Sequence, residues 1–233
     1  MAFPVVAATN TSTVTVPSTT HVCNLPASIS AGDLLLLFFF SGAGGAHTVS
    51  TPADWSALFN DTDSAGQRLV CFFKVASGSE GATVNVTTSA ARESRHVSYR
   101  MTAYQDSPEA GATATNADAN PDPPSLTPSW GSDDTLWIAL FGSNDNTTTP
   151  TLPTNYANQV SATSSFLILH TCRRSLAAAS EDPSTFTCGA SSWLASTVAI
   201  RPVATAGAQP PNIRTGGVVL TRAKPRMIPS GSF

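Results

Sequence analysis

Gly32-Asp33-Leu34-Leu35-Leu36-Leu37-Phe38-Phe39-Phe40 and, in the second half of the chain, Asp133-Asp134-Thr135-Leu136-Trp137-Ile138-Ala139-Leu140-Phe141 are the apolar stretches whose reading decides the fold. An apolar run of this length is far short of the roughly 20 residues that cross a bilayer as a helix. Bounded by turn residues, it reads instead as a strand buried on both faces. The two stretches belong to an internal repeat. Pro52-Ala53-Asp54-Trp55 is answered 101 residues later by Pro153-Thr154-Asn155-Tyr156, and the same spacing pairs Glu80 with Glu181 and Val97 with Val198. A sustained self-similarity of this kind marks a duplicated structural unit.

Each half offers the same series. An apolar strand near 34–40 or 135–141 leads through a Gly/Ser/Thr/Asn loop into the PxxW or PxxY turn. A second apolar strand follows, near 68–75 or 165–172, then a loop carrying Glu80 or Glu181, then a Thr-rich strand near 83–88 or 184–188. The first half closes in clean alternation, with Val97, Tyr99, Met101 and Ala103 on one face and His96, Ser98, Arg100 and Thr102 on the other. Val198 and Ile200 repeat that role until Pro202 stops the strand. Short strands and turn-rich connections predict an all-β, antiparallel, jelly-roll-like β-sandwich. It occupies residues 1–203, with pseudo-repeats over 29–104 and 130–202. The proline-rich stretch 105–129 reads as a linker, and 204–233 as an extended basic arm rich in Pro and Gly.

Composition narrows the function classes. The 233 residues hold 12 Lys plus Arg against 15 Asp plus Glu, and charged residues are only 12%. At 41% hydrophobic residues the chain is not of the disordered class. Its acidic body argues against nucleic acid as a partner, and no stretch argues for a membrane. Met1-Ala2-Phe3-Pro4-Val5-Val6 lacks the basic region of a secretory signal, so none is expected.

Chemistry-bearing residues are sparse. Cys23, Cys71, Cys172 and Cys188 have no CxxC spacing, and His21, His47, His96 and His170 form no HxH or HExxH pattern. No metal site, cofactor or catalytic residue is therefore expected. Gly42-Ala43-Gly44-Gly45 follows a strand but precedes no helical pattern, so it reads as a loop rather than a phosphate cradle. Asp54 and Glu80 are the residue types of a glycosidase acid–base pair. The recurrence of the glutamate as Glu181 favours loop bracing instead. Trp55 and Tyr156 read as loop anchors on the core, with a sugar-stacking platform as the alternative.

Gly32-Asp33-Leu34-Leu35, then Pro52-x-x-Trp55, then Lys74-x-Ala76-x-Gly78-x-Glu80, resembles the β-sandwich structural proteins of tailed bacteriophages, among them capsid decoration (cement) proteins and fibre components. The resemblance covers about Ile29 to Tyr104, with a weaker echo from Thr127 to Pro202. It implies a non-enzymatic protein located in the virion and assembled in the host cytoplasm. The implied partners are the major capsid protein or adjacent virion proteins, together with further copies of the chain. The alternative is a carbohydrate-binding adhesin or receptor-binding fibre module directed at a host-surface glycan. In the decoration reading, Arg214, Arg222, Lys224 and Arg226 steer the arm electrostatically, while Val218, Val219, Leu220, Ile228 and Phe233 supply its apolar and strand-pairing contacts.

Overall fold

The computed structural model describes residues 2–164 and 166–204. All the regular structure among them is β. The first half supplies β1 (Val5–Asn24), β2 (Leu34–Ser41), β3 (Val49–Ser50), β4 (Ser56–Thr62), β5 (Arg68–Val75) and β6 (Thr83–Thr102). The second supplies β7 (Glu109–Ala110), β8 (Ala114–Asp118), β9 (Asp134–Ser143), β10 (Ala157–Ser164), β11 (Leu167–Ala177) and β12 (Ser191–Ile200). Each half forms one antiparallel sheet. The first has strand order β1-β6-β2-β5-β4 with β3 pairing β6; the second has order β10-β11-β9-β12-β7 with β8 pairing β12. The sheets stack as a β-sandwich, β1 packing against β10 and β6 against β11.

The period-two alternation of a strand sends the apolar residues of β2 to opposite sides. Leu34, Leu36, Phe38 and Phe40 enter the core between the sheets, where they meet Leu136, Ile138 and Leu140 of β9. Leu69 and Cys71 of β5, Val97, Tyr99 and Met101 of β6, and Leu194, Val198 and Ile200 of β12 complete that layer. Leu35, Leu37 and Phe39 face outward, yet they are equally buried. The far ends of β1 and β6 curl back over them and contribute Cys23 and Val86 to a second core with Val49 and Trp55. Sheet two repeats the arrangement, with Trp137, Ala139 and Phe141 covered by Leu126, Tyr156 and Phe186. Both central strands are thus sealed on both faces.

The duplication extends to topology. The order β6-β2-β5-β4 matches β12-β9-β11-β10. Asp54 (φ 62) and Asn155 (φ 66) make the same left-handed turn. The N–H groups of Trp55 and Tyr156 bond back to Pro52 and Pro153 at 3.2 and 3.0 Å. A bulge follows in each half, between Ala57 and Phe59 and between Ala157 and Val160. Lys74 pairs with Glu80 as Arg174 pairs with Glu181. The spacing is not constant, however. Lys74 to Arg174 is one residue shorter than Trp55 to Tyr156, and Phe40 to Gly142 is one longer. A strand shifted by one residue would turn its core face outward; the loops absorb the difference.

Three expectations need correction. The stretch 105–129 is not a bare connection. It carries β7 and β8, which run along β12 as β1 runs along β6. The N–H of Leu25 reaches Ala82 O and that of Leu126 reaches Glu181 O, both at 2.8 Å. The repeated unit therefore starts upstream of residue 29 and upstream of residue 130. Pro121, Pro123 and Pro124 lack the N–H a continuous ladder needs, which breaks the second copy into pieces. For the same reason the expected strand at 184–188, next to Pro183, is reduced to one bridge between Thr151 and Thr187. Finally, 83–88 and 96–103 are not separate strands but parts of β6, which runs unbroken from Thr83 to Thr102. The arm residues Arg214, Val218, Val219, Leu220, Arg222, Lys224, Arg226, Ile228 and Phe233 lie outside the described residues.

Phe40 of β2 packs directly on the backbone of Gly142 in β9. A Cβ on Gly142 would fall inside the Phe40 ring, so one position carries the bulk and its counterpart carries none. Gly142→Ala is expected to lower stability by roughly 1–3 kcal/mol through overpacking, measured by chemical denaturation. Adding Phe40→Leu should recover part of the loss, because the two positions share one space.

Candidate functional site

Trp55 and Tyr156 are both interior, at 9% and 7% exposure, each in its own half's outer core. A ring seated there offers no face to a sugar. The hydroxyl of Tyr156 is buried in that outer core. Burial, then the negative charge of Glu181, pushes its pKa up. Glu80 accepts the N–H groups of Ser77 and Gly78 at 2.8 and 2.9 Å and lies 3.2 Å from the Lys74 ammonium. Burial alone would raise its pKa, but the Ser77 bonds and Lys74 hold it down at about 2. Asp54 serves as the left-handed turn residue before Trp55. Asp54 thus contributes its backbone to the turn and leaves its side chain exposed, while Glu80 braces a loop. Glu181 does the same in the second half, with Arg174 at 2.8 Å.

Gly44 and Gly45 adopt φ values of 141° and 94°. Their carbonyl oxygens converge on the Arg92 guanidinium at 2.6 and 3.0 Å. A phosphate cradle presents N–H groups, so this loop has the opposite polarity and is filled by the protein's own cation. Among the described residues no group of three or more His, Cys, Asp or Glu could hold a metal ion. The four cysteines are free thiols, three of them buried.

All four histidines are buried and bonded to serine. His47 faces Ser41 at 2.8 Å, His170 faces Ser161 at 2.6 Å, and Ser94 lies between His21 and His96 at 2.6 and 2.7 Å. Serine–histidine pairs are the raw material of nucleophilic catalysis. Here Ser41 and Ser94 have no exposed surface, so no substrate carbonyl can reach them. Burial holds His21 and His170 down at about 4 and His96 at about 3, and lowers His47 as well.

Arg95, on the inner face of β6, was not singled out by sequence reasoning and is fully buried. Its guanidinium uses all five donors. It bonds Leu167 O and Ser164 O of the β10–β11 hairpin, Val14 O of β1, Ser94 O, and the Glu93 carboxylate. An arginine inside the apolar alternation of 95–101 was the available signal. Above it, at one end of the sandwich, a cleft of 440 Å³ opens between the two halves, lined by Pro17, Ala43, Arg92, Asn144 and Phe166 among others. Phe166 is 74% exposed, as is Val16 nearby in sequence to Pro17. No protein-family model, curated protein or solved structure matches the chain.

The histidines set the acid response. Each is harder to protonate folded than unfolded, so the unfolded chain binds more protons between the ordinary value of 6.5 and the folded values. Stability is expected to be level above about pH 6.5 and to fall as the pH drops toward about 3. Glu80 adds a second loss that begins below 4.5 and extends through about 2. Denaturation midpoints measured across this range check both.

Proposed function

We propose that the protein is a non-enzymatic structural component of a tailed-bacteriophage virion, a capsid decoration protein that binds the capsid lattice and neighbouring copies. One observation carries this reading: the repeated pairs Trp55 and Tyr156, and Lys74–Glu80 and Arg174–Glu181, brace the scaffold at matching places in both halves. The residues behind the phage resemblance do the same. Asp33 caps the Ser30 N–H at 2.8 Å and pairs with Arg100, Trp55 seals an outer core, and Lys74 with Glu80 holds a loop. What remains is outward surface on a doubled sandwich, suited to lattice contact. The described chain ends beside Tyr104 and Gln105, with Val203 N–H on Ala103 O and Ala204 N–H on Gln105 Oε1. From there 205–233, basic and free of acidic residues, serve as the arm toward acidic neighbours.

The adhesin reading loses its platform with Trp55 and Tyr156 in the core. Among the described residues, Phe166 beside the end cleft is the exposed ring it would have to use.

The test adds the purified full chain, and a chain ending at Ala204, to particles assembled without the protein. The full chain should co-sediment with particles and the truncated chain should be largely lost. Absence of the full chain from the particle fraction overturns the decoration reading. Equal binding by both chains overturns the arm alone.

A further inference from the structure

A line of side-chain hydrogen bonds crosses the seam between β1 and β6. The Asn24 N–H donates to Ser12 Oγ at 2.9 Å, and Ser12 Oγ lies 2.8 Å from His96 Nδ1. His96 Nε2 lies 2.7 Å from Ser94 Oγ, which is 2.6 Å from His21 Nδ1. His21 Nε2 lies 2.9 Å from Thr88 Oγ1, which donates to Ala90 O at 2.8 Å. The two ends are backbone groups of fixed polarity, a donor at Asn24 and an acceptor at Ala90. Every bond between them therefore has one direction. Ser12 and Ser94 donate to the two Nδ1 atoms, and both imidazoles carry their proton on Nε2. The line is complete and has no place for another proton.

A proton added at either Nδ1 turns an acceptor into a donor facing a hydroxyl that is already donating. Each serine has a second lone pair, but accepting from a protonated Nδ1 would turn its own O–H out of the line, where the described residues give neither Ser12 nor Ser94 another acceptor. Nor do nearby groups welcome the charge. Phe39 packs against both rings at centroid distances of 5.1 Å. His47 faces His21, and Arg95 and His21 face His96. Arg92 and Arg68 adjoin His47, and the Cys23 thiol bonds the His21 carbonyl. Glu93, the carboxylate of this region, is paired with Arg95.

We propose that this line of bonds is an acid-releasable clasp, which holds the edge strand β1 on β6 while His21 and His96 are neutral and lets it go when either is protonated. Placement explains why β1 is the part released. Ser12 and His21 lie on either side of the breaks in register between Val14, Ser18 and Thr20, where the backbone ladder is weakest, and β1 has no strand on its other side. The remaining strands of the first sheet contribute no second clasp of this kind: β2 is held by ladders to both β5 and β6. The depressed pKa values of both rings agree with a proton that enters only on opening.

The test uses the full chain. Hydrogen exchange, expressed as protection factors, is compared at about pH 7 and pH 4.5 for peptides covering 5–24, 34–41 and 68–75. Because each unit of pKa depression is worth about tenfold, protection over 5–24 should fall at least tenfold while 34–41 and 68–75 hold. Nitrogen-15 NMR at neutral pH should find His21 and His96 both protonated on Nε2. Ser94→Ala, which cuts the line at its centre, should show weak protection of 5–24 already at neutral pH, with little further change in acid. Protection of 5–24 that persists at pH 4.5, or is lost together with 34–41, overturns the proposal. So does an Nδ1-protonated ring, or a Ser94→Ala protein that keeps the original acid response.

Discussion

The structure depends on one constraint: β2 and β9 are apolar on both faces, and each face must be covered. Each half covers its own outer face by curling β1 and β6, or the 119–126 and 184–188 segments, back over the sheet. It has nothing left for the inner face. That face is covered only by the other half, through Leu34, Leu36, Phe38 and Phe40 against Leu136, Ile138 and Leu140. Full burial of such side chains is worth roughly 1.5–3 kcal/mol each, so this layer dominates the stability of the pair.

Polar groups placed at the inner layer tie the halves in register. Tyr99 of β6 meets Thr171 of β11 through a 2.6 Å hydroxyl bond, and Arg95 reaches from β6 to the β10–β11 hairpin. A buried cation left without partners would be strongly destabilising; here four carbonyls and a carboxylate satisfy it. The interior histidines follow the same rule, each neutral and each given a hydroxyl. A chain with few charged residues thus buries Asp33, Arg95 and Glu181, while Val16, Val22 and Phe166 stand exposed.

Much of this was legible in the residues. The runs at 34–40 and 135–141 announced doubly buried strands, and the PxxW and PxxY turns with Glu80 and Glu181 announced the duplication. What escaped was of two kinds. Strand β1 is an edge strand of Ser, Thr and Val with Pro17 in its middle, half exposed and without clean alternation, so periodicity could not mark it. Its counterpart at 109–126 was hidden by its prolines, although Leu25 and Leu126 are bonded alike. The site was less legible still. Hydrogen-bond lines such as Ser12–His96–Ser94–His21–Thr88 join residues far apart in sequence, and no local spacing betrays them. The outward set His96, Ser98 and Arg100 was correctly placed on one face, but that face proved to be covered.

Because the inner layer is shared, neither half can fold without the other. Residues 1–104 and 105–233 should be produced separately and their unfolding followed by calorimetry and dye binding, alone and mixed. Each piece alone should show exposed apolar surface and no cooperative transition, and mixing should restore a cooperative transition. A single half that is monomeric and unfolds cooperatively by itself would contradict it.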